Sequence, residues 1–409
     1  MNRNVLGLLL GAVLLVTPDL SAEIKVSPVG SFTLLGGQYW MTNSVPTALA
    51  GNANAFFSPV INFSASSALL PIYTGSYRGT KDVRELVGGG TLTQESQDHS
   101  LSLKYVYKLS PQLRLKARGG YKIEFLKETK DETWGKGLFD YKKIIGGVEV
   151  ERFWNSANIR AGADYYTMVY PNYQSLVTQD EFQTSIDTMT YAELSTQAGT
   201  NILDYSAVSV TAEYTRLLPK NLNLTARYDL ALKNFVDQKI VDETGEFTSD
   251  LRKDAAHYLT LSANLGTPRA ALSIADSIQY YASNQNSFDA ANSKYTSKYY
   301  DFIQNAVTPS VSFALGAKDA PVKFSLLWEL SYRLYAQRLA QNDDASYKDS
   351  KVNQLVNTMG FSISYPLTKN ISARLSSSYS DSSSNMRYEK NYKYNYYSFN
   401  YFAGVTLEL

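Results

Sequence analysis

From residue 29 onward, apolar and polar positions alternate with a period of two. Leu101, Leu103, Tyr105 and Tyr107 share one side of a strand. Leu113, Leu115, Ala117, Gly119, Tyr121, Ile123 and Phe125 share one side of the next. Successive side chains of a strand point to opposite faces, so the pattern predicts strands with one apolar and one polar face. Residues 109–112 join these two runs in a short turn, with Pro111 where turns accept proline. The unit recurs along the chain. Segments 144–153 and 157–169 flank 154–156, and 205–216 and 222–235 flank 218–221. Segments 258–265 and 271–281 flank 266–269, and 307–315 and 322–335 flank 316–321. Segments 355–365 and 371–379 flank 366–370, and 396–409 is the last strand.

The first hundred residues alternate less cleanly. Residues 29–41 are expected as strand 1, 57–64 as strand 2 and 69–78 as strand 3, with a tight turn at 65–67. Pro71 has no N–H to give a ladder and weakens the third assignment. With it the total is sixteen, an even number, as a single-chain bacterial barrel requires.

Between the hairpins lie polar segments at 79–97, 127–140, 170–203, 237–254, 284–305, 338–353 and 381–395, rich in Asp, Asn, Ser, Lys, Thr and Tyr. They are expected as long loops on one rim, opposite the short turns, with a short helix within 176–194. Composition agrees with a barrel. There are 32 tyrosines and 13% aromatics, yet mean hydropathy is −0.26. Disorder needs few aromatics, and a helical membrane protein needs apolar runs of ~20 residues. A barrel alternates lipid-facing and lumen-facing residues, so its average hydropathy stays modest. A soluble β-sandwich also alternates. It gives no reason for aromatics at the loop-side strand ends, as at Tyr165-Tyr166, Tyr280-Tyr281, Tyr332, Tyr335 and Tyr396-Tyr397. These are expected to form an interfacial girdle.

Residues 1–22 have the form of a cleavable secretory signal: Arg3, an apolar stretch from Val5 to Val16, then Leu20-Ser21-Ala22. The apolar core is too short to span a bilayer. The expected organisation is therefore a signal at 1–22 and a transmembrane β-barrel at 23–409. Net charge is +1, which gives no footprint for a nucleic acid, and the chain has no cysteine.

The pattern as a whole resembles bacterial outer-membrane β-barrels of the porin-like size class. The outward run Tyr397, Phe399, Tyr401, Ala403, Val405, Leu407 and Leu409 is similar to the terminal signal read by barrel-assembly machinery, although it ends in Leu and not Phe. The resemblance implies a closed antiparallel barrel in the outer membrane. It implies outer-membrane lipid, periplasmic chaperones, the assembly machinery and small hydrophilic solutes as partners. No cofactor is implied, and the oligomeric state is left open.

With the apolar parity assigned to lipid, the other parity lines the lumen. It carries the cations Lys104, Lys108, Arg114, Lys116, Arg118, Lys122, Arg160, Arg227, Lys233, Lys323, Arg333 and Arg374. It carries the carboxylates Glu124, Glu149, Glu151, Asp164, Glu213, Asp229, Glu329 and Glu408. Such a wall suits either a selectivity-tuning pore lining or a solvated, salt-bridged wall without specificity. Arg114, Lys116 and Arg118 form the cluster best placed to attract an anion. The expected function is a passive porin-like channel for small hydrophilic solutes with weak anion preference. The alternative is a non-conducting barrel whose loops act as adhesin, receptor or structural anchor.

Catalysis is not expected. Barrel enzymes that use histidine need a nucleophile within its reach. The chain has two histidines, His99 and His257, and the strand neighbours Asp98 and Ser100 point away from His99. Gly88-Gly-Gly90 lacks the Lys-Ser/Thr of a phosphate loop. Glu128, Asp131 and Glu132 offer hard oxygens for Ca²⁺, but interleaved lysines favour a solvated loop. The Tyr-rich segments 295–300 and 388–397 are candidate contacts for sugars or a host surface.

Overall fold

The computed structural model describes residues 24–41, 49–84, 91–127, 132–173, 201–289, 292–317, 320–388 and 394–409. The signal segment, the 88–90 glycines, Glu128, Asp131 and the segment expected as a helix lie outside them.

Sixteen strands cross the structure: β1 Gly30–Met41, β2 Leu49–Phe57, β3 Ser67–Arg84, β4 Thr91–Ser110, β5 Leu113–Lys127, β6 Tyr141–Phe153, β7 Ala157–Val169 and β8 Tyr205–Leu218. They continue with β9 Leu222–Val241, β10 Phe247–Gly266, β11 Ala270–Ser283, β12 Phe302–Leu315, β13 Val322–Gln341, β14 Tyr347–Pro366, β15 Ile371–Ser384 and β16 Tyr396–Glu408. Each pairs antiparallel with its sequence neighbours. β1 and β16 pair from Ser31↔Glu408 to Met41↔Ser398 and close the barrel. Closure leaves no free sheet edge. Gly37 and Gly404 sit at this seam, where a Cβ would collide with the Tyr401 and Leu34 carbonyl oxygens respectively.

Period-two alternation decides which face is inside. Side chains on the concave face of a barrel converge and shield one another, whereas those on the convex face splay. In β8 the polar set, including Glu213, is half-buried, and the apolar set is exposed: Val208, Val210 and Tyr214 at 44%, 42% and 41%. The other strands follow. Ile144, Val148 and Val150 of β6 and Leu326, Trp328 and Leu330 of β13 are exposed outward. No described helix is long and apolar enough to cross a membrane; the strands cross it instead. An even-stranded closed antiparallel barrel with an apolar outer belt, short turns on one rim and longer excursions on the other is an outer-membrane barrel.

Two expectations change. Strand 2 is Leu49–Phe57, not 57–64; after Ser58-Pro59 a short stretch, Val60–Asn62, continues the ladder. Proline interrupts the hydrogen bonding there. The true strand alternates Ala with Asn, an apolar signal too weak to register. Much of three expected loops, 79–97, 237–254 and 338–353, is strand. β9–β10 and β13–β14 run on beyond the belt, past bulges at Asn234/Lys239 and Leu334/Leu339, to five-residue turns at 242–246 and 342–346. Above the bilayer neither face needs apolar residues, so the alternation fades while the hydrogen bonds persist.

Candidate functional site

The inner wall concentrates its charge on β5–β9. Register sets the pairs: Arg114↔Glu151 and Lys116↔Glu149, Glu151↔Arg160, Arg160↔Glu213 and Glu213↔Arg227. Directly opposed residues have Cβ atoms ~5 Å apart, so opposite charges meet. Lys116 Nζ is 2.6 Å from Glu149 Oε1 and 2.9 Å from Glu151 Oε2. Arg114 reaches Glu151 at 3.9 Å. Arg160 lies 2.6 Å from Glu213 and 3.9 Å from Glu149. Arg227 lies 3.8 Å from Glu213 and 2.7 Å from Asp229. Arg118 donates to Asp164 through Nε at 2.7 Å and through Nη2. Gly147 makes room for that pair, since a Cβ there would collide with the Asp164 carboxylate. Lys122 meets Glu124 at 3.0 Å and Asp98 at 3.7 Å.

The basic trio singled out from the sequence is thus matched residue by residue with carboxylates. Lys122, Arg160, Arg227 and Arg252 are paired as well, but several other inward cations have no carboxylate within 4.0 Å among the described residues. Lys104 and Arg374 are two of these, on β4 and β15. Lys143, which fell just outside the expected strand 6, stands 3.9 Å over the Tyr166 ring. Lys233 lies 5.1 Å from the Tyr205 ring. Arg333 donates to Gln304 Oε1 at 2.8 Å and stacks over Phe302 at 4.6 Å. Glu329 shares a small hollow of about 190 Å³ with Gln304, Ser331, Arg333, Gln354, Val356 and Tyr396.

The aromatic girdle divides between the two faces. Tyr165, Tyr280, Tyr332 and Tyr397 are exposed outward. Tyr166, Tyr281, Tyr335 and Tyr396 belong to the inward parity, against expectation, because tyrosines one or three residues apart on a strand cannot share a face. Inside they form ladders. Tyr166, Tyr205 and Phe235 follow one another at 6.2 and 5.4 Å, and Tyr281, Phe302 and Tyr335 at 5.3 and 5.8 Å. Arg252 stacks on Phe235 and Tyr300, and Arg338 on Tyr299, Tyr335 and Tyr394. The Tyr-rich segments therefore contribute rings that pack on arginines.

Both histidines belong to the outward face. Tyr73 and His99 Nδ1 are hydrogen-bonded at 3.0 Å, and Tyr228 and His257 Nδ1 at 2.7 Å. Neither offers a base to the lumen. Among the described residues no group of three His, Asp or Glu is arranged to hold a metal ion.

No family model matches the chain, and no curated protein does. Solved structures share its general course. OccAB1 of Acinetobacter baumannii is 11% identical, with 96% of this chain and 99% of that one covered and a TM-score of 0.47. OccAB4 of the same organism is 10% identical over 94% and 98%, at 0.46. OccK2 (OpdF) of Pseudomonas aeruginosa, solved in complex with glucuronate, is 9% identical over 94% and 98%, at 0.44. Likenesses this distant assign no role to any residue here.

Proposed function

We propose that this barrel is a passive channel for small hydrophilic solutes. The observation that carries the reading is the ionic inner wall, from Arg114 on β5 to Asp229 on β9, inside a closed sixteen-stranded barrel. Sixteen strands enclose a lumen wide enough for water. Charged side chains in such numbers stay ionised where water and close partners solvate them together.

A weak anion preference follows from the residual charge and not from the basic trio. Arg114, Lys116 and Arg118 are offset by Glu151, Glu149 and Asp164. Lys104, Lys143, Lys233, Arg333 and Arg374 have no carboxylate within 4.0 Å among the described residues, and Glu329 stands as the unpaired carboxylate near Arg333. The test is reversal potential across a bilayer in a salt gradient. A small anion-selective shift that weakens as salt rises supports the reading, because screening acts over ~10 Å at 0.1 M.

A further inference from the structure

We propose that the outward face of β11–β15 is an interface at which this chain packs against a second copy of itself. The inference rests on the membrane-spanning fold and does not depend on whether the lumen conducts.

Across β4–β10, the outward mid-strand positions are apolar, small or aromatic, apart from His99 and His257, and each of these is hydrogen-bonded to a tyrosine of the adjacent strand. Leu101 and Leu103, Val148 and Val150, Ala161 and Ala163, Val208 and Val210, and Leu259 and Leu261 illustrate the rule. On β11 it breaks. Asp276 is half-way along the 14-residue strand, between Ile274 and Ile278, which are 50% and 40% exposed outward. It accepts from Asn305 Nδ2 of β12 at 2.6 Å. On β14 the outward Asn357 accepts from Trp328 Nε1 of β13 at 2.6 Å. Ser377 lies outward half-way along β15. The polar breaks are neighbours around the barrel.

Lipid chains can neither donate to a carboxylate nor accept from an amide, so such groups in the outer belt require a protein neighbour. The face itself identifies that neighbour. A carboxylate offers about four lone-pair sites, and Asn305 fills one. Asn357 accepts through Oδ1, so its Nδ2 remains a donor. Acceptor and donor lie on the same sector, so a copy facing a copy gives each what it lacks, as an isologous contact demands. The same sector carries an apolar groove of about 740 Å³, lined by Leu272, Ile274, Val311, Leu326, Met359 and Phe361 among others. The convex wall of a barrel is expected to be smooth; a groove there has space for side chains from a neighbour.

The chain has no cysteine, so single cysteines report contacts cleanly. Ile274→Cys and Ser377→Cys lie on the proposed interface, and Val150→Cys lies outward on β6. Each full-length variant is placed in phosphatidylcholine vesicles at high lipid excess and treated with a short bis-maleimide. Heat-dependent gel mobility verifies folding first. The interface variants should give a band at twice the monomer mass, at least tenfold stronger than Val150→Cys. Adding Asp276→Leu with Asn357→Leu should reduce that yield about tenfold in folded protein. Monomers throughout, yields equal to that of Val150→Cys, or a yield indifferent to the double substitution would overturn the proposal. Cross-linking in native membranes to a different polypeptide only would also overturn it.

Discussion

Lys116 and Glu149 are directly opposite one another on β5 and β6, and their charged ends meet at 2.6 Å. Both side chains are largely shielded, at 12% and 17% exposure. Glu149 also faces Arg160, so one carboxylate offsets two cations. Glu149→Gln should therefore move the reversal potential toward anions. It should cost about 1.5–3 kcal/mol, the range for a hydrogen bond to a charged group. Denaturant titration in vesicles and a salt-gradient measurement read the two effects separately.

Lys233 has an aromatic partner, the Tyr205 ring 5.1 Å away, and no carboxylate within 4.0 Å among the described residues. Lys233→Glu should shift selectivity toward cations by more than Lys108→Glu does, because Lys108 lies at the short-turn rim with its Nζ on the Ala65 carbonyl. Equal shifts would show that the preference does not reside at the ring-stacked lysine.

Much of the fold is legible in the sequence because a membrane barrel writes its inside and outside into alternate residues. The parity of β5 alone, with Leu115 outward and Lys116 inward, assigns the charged wall. Pairing is less legible. Arg118 and Asp164 are 46 residues apart and meet because β5, β6 and β7 align them across Gly147, which no composition rule foretells. Tyr166 and Tyr281 read as girdle because each belongs to a doubled tyrosine, whereas the pleat sends one ring each way. The 237–254 segment reads as loop because, above the bilayer, strands lose their apolar face and keep their ladder.

Face assignment is testable in β13. Leu326 is outward and 46% exposed, and Ser325 is hydrogen-bonded at 2.9 Å to Ser312 on the inner wall. Leu326→Arg should cost ~2–4 kcal/mol if it lies near the bilayer midplane, with Ser325→Arg mild by comparison. Unfolding in vesicles of defined thickness measures both, and equal destabilisation would contradict the register.

The tips of the tall hairpins should respond to acid. Hydrogen bonds from Thr244, together with the Glu246 N–H at 3.0 Å, hold the Asp242 carboxyl below its usual range. Those from Ser346 do the same for Asp344. A depressed folded-state pKa adds stability above the unfolded value of ~3.9 that fades as pH falls through the folded value. The protection of the Glu246 and Ser346 amides against exchange, relative to their intrinsic rates at the same pH, should therefore fall in acid below about pH 4. Asp242→Asn should remove that dependence at its own turn alone.

Orientation follows from the two rims. The β9–β10 turn at 242–246 should lie outside the cell, and the turn containing Lys220 should face the periplasm. An epitope inserted after Gly245 should be labelled on intact cells, whereas one after Lys220 should require a permeabilised outer membrane. The opposite pattern would invert the barrel.

The central claim is conduction, and single-channel recording of the refolded chain in a planar bilayer tests it most directly. The full-length protein and a variant lacking 174–200 should both be measured. A water-filled lumen predicts discrete steps whose conductance rises in proportion to bulk salt. Folded, bilayer-inserted protein that passes no current in either form would contradict it.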